Sequence, residues 1–247
     1  MKTALITGCS SGYGLETARH FHRMGWRVIA TMRTPRPDLL PVDERLTVLP
    51  LDVTDPRSIE AAARAAGAID ALVNNAGIGL FGAFEATPME KVRDIFETNT
   101  FGPMAVTQAF LPLLRERRAG VVVNVTSSAT LAPFPLVAAY TASKTALEGF
   151  SESIALELRP FGVRVKIVEP GYGPDTRFSA NSGPRMQGLV TEPYAAYAQG
   201  ILSEFAGARV TTTPADVAQA VWQAANDTSQ RIHYPAGPDA VALAAAR

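Results

Sequence analysis

The run GVVVNVTS, residues 120–127, restricts the architecture more than any other stretch. Its valines follow one another instead of alternating with polar side chains. β-Branched residues favour strands, and a strand apolar on both sides needs cover on both faces. That calls for helices above and below a sheet. The remaining sequence supplies them. TALITG (3–8), WRVIATM (26–32), RLTVLPLDV (45–53), IDALVNNAG (69–77), GVRVKIVEPG (162–171) and RIHYPAG (231–237) read as further strands. Residues 13–25, 56–67, 88–118, 136–159 and 213–227 have helical spacing between them. Pro56 and Pro214 suit first turns, Thr213 is a cap candidate, and Gly25 and Pro160 are stops. Pro103 and Pro112 predict a kink in the long helix 88–118. Residues 34–45, with Pro35, Pro37 and Pro41, should be irregular, and 172–208 mixes helical pieces with Gly, Pro and Tyr. Strand and helix alternate without a break in composition, and there is no internal repeat. The expectation is one α/β domain over 1–247, a doubly wound parallel sheet of about seven strands with right-handed crossovers.

Charge argues against several functions. Lys+Arg and Asp+Glu number 23 each, so no basic excess points to nucleic acid and no polybasic run to a membrane surface. The apolar share of 47% and charged share of 19% are those of an ordinary globular protein. Cys9 is the single cysteine, which excludes an internal disulfide and suits a reducing compartment. The first apolar run is too short for a secretory signal, and no stretch reaches the roughly eighteen apolar residues of a membrane span. A cytoplasmic protein is expected.

TGCSSGYG, residues 7–14, joins the first strand to the first helix. Gly8, Gly12 and Gly14 permit a tight turn, close backbone approach and close helix–strand packing, and the helix start then offers free N–H groups to an anion. The chain has no GxxxxGK[ST], so a nucleoside triphosphate is disfavoured. A Rossmann-like dinucleotide site is the expectation.

The TGxxxGxG spacing resembles the short-chain dehydrogenase/reductase family, in its subgroup of about 250 residues. Further motifs agree in order: NNAG at 74–77, Asn99 within ETNTFG, Ser127 at the end of the fifth strand, YTASK at 140–144 and EPG at 169–171. The N-terminal third and GIGLFGAFEA look closest to the 17β-hydroxysteroid and retinol dehydrogenase branch. The resemblance implies that Tyr140 is the general acid/base, Ser127 orients the substrate oxygen, and Asn99 supports Lys144 through water and a backbone carbonyl. The pairing of Tyr140 with Lys144 also has a physical reason. Residues at i and i+4 share a helix face. A phenol titrates near 10, and a cation about 4 Å away contributes on the order of 4 kcal/mol at an effective dielectric of 20. That lowers the phenol by roughly three pH units at most, toward neutrality.

For the cofactor, such folds usually place an acid after the second strand to hold the ribose 2′-hydroxyl of NAD. Here the strand ends ATMRTPR, with no acid before Asp38. Arg33, with Arg36 nearby and Ser10 and Ser11 in the loop, suits a 2′-phosphate, so NADP(H) is expected. By resemblance, Tyr13 belongs to the loop on the cofactor, Asp52 and Val53 face adenine, and Asn75, Ala76 and Gly77 line the ribose side. Tyr140, Lys144, Pro170 and Gly171 also border the cofactor. The family's PGxxxT appears as PGYGPDT, one residue longer, which takes Thr176 out of register and leaves Tyr172 or Asp175 in its place.

The substrate stretches are apolar: LAPFPLVAA (131–139), with Phe134 to Val137, and GLFGAF (79–84). Segment 172–208 reads as a mobile lid carrying Tyr172, Phe178, Met186 and Leu189, with Arg177 and Arg185 expected to face solvent. The expected substrate is a hydrophobic ketone, aldehyde or alcohol, contacted by Ser127, Phe134, Tyr140, Tyr172 and Phe178. No metal set emerges. His20 and His22 do not share a helix face, His233 reads as structural, and Cys9 as a packed side chain. Ala142, Ala146 and Gly149 form a small-residue stripe. The family builds dimers and tetramers on this helix, so a homodimer or homotetramer is expected. Two rival readings are a cofactor-free dehalogenase-like lyase and a nucleotide-binding sensor without turnover. The first would replace the lysine by arginine and lose the phosphate loop. The second would lack the tyrosine and lysine.

Overall fold

The valines of 120–127 are covered as their spacing requires. In the computed structural model, which describes residues 1–176 and 178–246, they form strand β5 (Gly120–Val125) near the middle of a sheet. Val121, Val123 and Val125 pack on one face with Ala4, Ile6, Val28 and Ala30, whereas Val122 joins Leu5, Ile29 and Leu72 on the other. The other strands are β1 (Thr3–Ile6), β2 (Arg27–Met32), β3 (Leu46–Pro50), β4 (Ala71–Asn74), β6 (Val163–Pro170) and β7 (His233–Ala236). All pairings are parallel, in the order β3-β2-β1-β4-β5-β6-β7.

Helices α1 (Gly12–Arg23) and α8 (Pro214–Asn226) cover the first face through Phe21, Val217 and Val221. Helices α2 (Pro56–Ala66), α4 (Gly102–Arg117) and α5 (Ala138–Leu158) cover the second through Ile59, Phe110 and Ile154. Phe21 and Phe110 are fully buried, each worth on the order of 2 kcal/mol. The foreseen cap at Thr213 is present: its hydroxyl accepts from Asp216 N–H, and the Asp216 carboxylate accepts from Thr213 N–H, closing a capping box.

Several expectations need correction. The long helix 88–118 is interrupted: α3 (Met89–Phe96) runs into a π-helical turn (Glu97–Phe101) and then α4. Pro103 stands at the start of α4, where the chain leaves the π turn, and Pro112 lies inside it. The third strand ends at Pro50, because Leu51 onward turns toward α2. Segment 172–208 contains α6 (Phe178–Met186) and α7 (Glu192–Ala206). A last helix, α9 (Pro238–Ala245), follows β7 and was not foreseen. Among the described residues, no helix is long and apolar enough to cross a membrane.

The strand order reverses direction between β1 and β4. The connections leaving these two strands diverge, opening a crevice at the carboxyl edge, where such sheets bind ligands.

Candidate active site

Four segments converge on that edge. The first is the turn after β1. Gly8 and Gly12 have φ of 74° and 56°, which side-chain-bearing residues rarely adopt. A Cβ on Gly8 would lie 2.8 Å from Ala76 Cα, and one on Gly14 would collide with the Gly8 carbonyl and the Asn75 amide. Ser11 makes no side-chain cap on α1, so the first N–H groups stay available. This cradle fits a dinucleotide diphosphate. Tyr13 extends toward the loop after β6: its hydroxyl donates to Gly171 O at 3.5 Å, and burial pushes its phenol pKa up.

The second segment, 74–77, is fastened to the first. Thr7 Oγ1 accepts from Asn75 N and Ala76 N, both at 3.0 Å, and Asn75 Nδ2 donates to Thr7 O at 2.9 Å. The Asn75 side chain thus ties two loops together, and Thr7 is a positioning residue the sequence reading left unnamed. Asn99 is fully buried in the π turn. Its Nδ2 donates to Ile78 O at 2.9 Å and Ser143 Oγ at 3.1 Å, and its Oδ1 accepts from Ile78 N at 2.9 Å. The π turn aims this amide at the β4 loop, a local use of such bulges seen often at functional sites. Gly77 must be small: a Cβ there would lie 3.2 Å from Asn99 Oδ1 and 3.4 Å from Lys144 Nζ.

The third segment joins β5 to α5. Ser127 follows β5, its Oγ accepting from Ala129 N at 3.2 Å, and Ser128 is buried in the turn behind it. Tyr140 and Lys144 stand one turn apart on α5. Lys144 is 4% exposed and donates from Nζ to Val125 O at 3.0 Å. Burial drives the two groups in opposite senses. Lys144 is pulled down from 10.5 to about 8, and Tyr140 is raised, with the Ser127 hydroxyl lowering it partly back. The expected depression of the phenol by Lys144 is therefore absent in the protein alone. Desolvation penalises phenolate and ammonium alike, and it dominates here.

The fourth segment follows β6. Asp239, at the start of α9, accepts from Tyr172 N at 2.6 Å and from Thr212 Oγ1, while Thr212 N donates to Tyr172 O at 2.7 Å. A Cβ on Gly171 would strike the Asp239 carboxylate. Asp239 and Thr212 hold the Pro170–Gly171–Tyr172 turn, and no local motif marks them. Thr176 Cβ lies 3.5 Å from where a Gly12 side chain would begin, and its hydroxyl donates to Gly173 O.

Of the residues expected on the adenine side, Asp52 accepts from Thr54 N and its own N–H donates to Ser58 Oγ, while Val53 is buried against Gly102. Ser10 and Arg33 are exposed, and Arg33 has no hydrogen bond or ion pair among the described residues. Arg36 is committed to Asp38 through two hydrogen bonds of 2.9 and 2.7 Å, which removes it from the expected pair of arginines.

The residues expected to contact substrate lie in an aromatic group. Phe178 meets Tyr140 edge-on, with ring centroids 5.9 Å apart. Phe205, absent from the sequence reading, bridges Tyr172 at 5.0 Å and Phe134 at 6.3 Å. Leu80, Ile95, Ala139 and Leu189 pack together next to Tyr140. Arg177 lies outside the described residues. Arg185 is half-buried instead of facing solvent: it lines a cavity of about 120 Å³ with Ile78, Lys91 and Asp94.

The model of the short chain dehydrogenase family matches residues 2–187, three quarters of the chain, which leaves Leu189, Phe205, Thr212 and Asp239 beyond the match. The chain belongs to the short-chain dehydrogenase family. It is 37% identical to the uncharacterized oxidoreductase YusZ of Bacillus subtilis, covering 96% of this chain and 89% of that protein. It is 39% identical to retinol dehydrogenase 8 of Bos taurus over 69% of this chain, which spans 58% of that longer relative. A crystal structure of a short-chain dehydrogenase from Streptomyces avermitilis superposes with a TM-score of 0.83 at 36% identity, covering 99% of this chain and 91% of that one. Other solved chains of this fold hold NAD or NADP. The protein is thus an oxidoreductase of this family, whose fold matches the expectation from sequence and whose relatives include a retinol dehydrogenase.

Proposed function

We propose that the protein is an NADP(H)-dependent oxidoreductase that interconverts a hydrophobic ketone or aldehyde and its alcohol. The observation carrying this reading is the pair of half-buried Tyr140 and buried Lys144 on α5, facing Ser127 beside the phosphate cradle. Gly8, Gly12 and Gly14 with the uncapped start of α1 would hold the diphosphate. Ser10 and Arg33 would hold the 2′-phosphate, Asp52 and Val53 the adenine side, Asn75 to Gly77 the ribose side, and Pro170 and Gly171 the nicotinamide side. The nicotinamide, when bound, supplies or accepts the hydride.

The chain's own groups handle the proton. In reduction, the Tyr140 hydroxyl donates a proton to the substrate oxygen as negative charge develops there, and Ser127 Oγ donates a second hydrogen bond to the same oxygen. Lys144, held by Val125 O, stabilises the resulting phenolate. Asn99 keeps the β4 loop and the Lys144 wall in register through Ile78. The raised phenol suits proton donation. Taking the proton in the alcohol-oxidising direction requires the positive charge of the oxidised nicotinamide in addition to Lys144.

Substrate enters past the aromatic group Phe134, Tyr172, Phe178 and Phe205. Phe178 stands over Tyr140, so segment 172–208 acts as a lid that shifts to admit the carbonyl. The Ala142, Ala146 and Gly149 stripe faces outward, and nothing lies within 4 Å of a Cβ built on Gly149. With exposed Leu113 and Leu156 it supports a homodimer or homotetramer built on α4 and α5. The lone cysteine supports a cytoplasmic setting.

The test is nicotinamide absorbance during incubation with NADPH and a homologous series of ketones. The expected result is kcat/KM rising with each buried methylene by about 0.8 kcal/mol until the pocket is full. Turnover of small charged oxo-acids in preference to every apolar ketone would overturn the substrate class. No turnover with either nucleotide would overturn the activity.

A further inference from the structure

The face of α5 that carries Tyr140 and Lys144 continues at the same spacing to Glu148 and Glu152. There it meets Glu169 of β6 and His233 of β7. His233 Nδ1 lies 2.8 Å from Glu169 Oε1, and Nε2 lies 3.1 Å from Glu152 Oε1. One ligand atom each from Glu148, Glu152 and His233 fall within 4.8 Å of one another.

Two features of this group lack an explanation within the chain. One is charge. Glu169 is fully buried and Glu148 is 7% exposed. Among the described residues, the ion-pair partner of Glu152 and Glu169 is His233 alone. Nearby Arg231 directs its guanidinium over the Tyr234 ring, 4.4 Å from the centroid. Three carboxyl groups face one imidazole; burial pushes Glu148 toward its neutral form, and buried carboxylates are costly without compensation. The other is coordination. Glu148 Oε2 and Glu169 Oε2 are buried and have no hydrogen-bond partner among the described residues.

We propose that Glu148, Glu152 and His233 bind a divalent cation, with Glu169 orienting the imidazole. A carboxylate accepting from Nδ1–H leaves the Nε2 lone pair as the ligand, the arrangement that commonly supports metal-bound histidine. In that tautomer Nε2 and Glu152 Oε1 are both acceptors, and their closeness calls for a cation or a proton between them. Two ligands of one tetrahedral ion, each about 2.0–2.1 Å from it, stand about 3.4 Å apart. The observed 3.1 Å is close to that separation. Two carboxylate oxygens and an imidazole nitrogen suit zinc or manganese better than calcium, which prefers six or more oxygens. Glu152 is exposed, which gives an entry path and leaves room for water. The ion would brace α5, β6 immediately before Pro170–Gly171, and β7, from behind the site.

The test uses the full chain, stripped with chelator and titrated with zinc chloride or manganese chloride near neutral pH by calorimetry and thermal unfolding. The expected result is one saturable site per chain and a rise in Tm on metal addition. In Glu152→Gln and His233→Gln, affinity falls at least tenfold. Absence of saturable binding in the wild type overturns the proposal, and so does equal affinity in both variants. A melting temperature that follows pH but ignores metal overturns it in favour of a proton-filled cluster. Should His233→Gln fail to fold, Glu152→Gln, at an exposed position, carries the comparison.

Discussion

Replacing Lys144 with methionine should stabilise the fold while disabling the chemistry. Burial lowers the ammonium from 10.5 to about 8. At about 1.4 kcal/mol per pH unit, holding it charged at neutral pH costs the folded state about 3 kcal/mol. Methionine fills similar space without charge. It forfeits the hydrogen bond to Val125 O, and leaving that carbonyl unpaired costs about 1–3 kcal/mol. The net expectation at about pH 7 is a variant more stable by roughly 1 kcal/mol, with turnover strongly reduced. The pH dependence is the sharper signature. Between about 8 and 10.5 the unfolded chain holds a proton on this lysine that the folded chain has released. Wild-type stability therefore rises with pH across that window, and the methionine variant lacks this contribution. At about pH 9.5 the variant's advantage should have fallen by about 2 kcal/mol, to zero or below. Urea unfolding followed by the fluorescence of Trp26 and Trp222 measures both values, and the shared titrations of other groups cancel in the difference. A variant less stable than wild type by the same amount at both pH values would refute the argument that desolvation of Lys144 dominates.

Tyr140→Phe should bind NADPH within a few-fold of wild type while turnover falls at least a hundredfold, since general acid–base catalysis is worth 10²–10⁴; stopped-flow binding and steady-state rates separate the two. Arg33→Asp should cut kcat/KM for NADPH by about tenfold or more and spare NADH, measured side by side; the substitution belongs at Arg33 because the neighbouring Met32 is buried. Asp239→Ala should leave Tyr172 N without its acceptor and Thr212 Oγ1 with only Ala236 O, lower stability by about 1–3 kcal/mol and raise the KM for nucleotide, read by thermal unfolding and by kinetics.

The sequence by itself determined the layers and the strand–turn–helix order, because these follow from local periodicity. Consecutive valines in β5, glycines with positive φ after β1, and the four-residue step from Tyr140 to Lys144 are short-range facts. They survive whatever the rest of the chain does. The tertiary structure decided what depends on neighbours distant in sequence. Asn99 reaches Ile78 and Ser143 because the helix opens into a π turn, and the sequence showed only prolines and a kink. Phe205 joins Phe134 and Tyr172 from a segment whose helices had no clear boundary. Asp239 grips Tyr172 across 67 positions, and Glu169 meets His233 across 64. Arg36 turned out to be paired with Asp38, which no spacing rule weighs against a phosphate. The direction of the Tyr140 shift was also hidden, because it depends on how much water remains around the phenol. A four-residue step reveals that a cation is near, but burial, set by every element packed on α5, decides that the phenol rises and the ammonium falls.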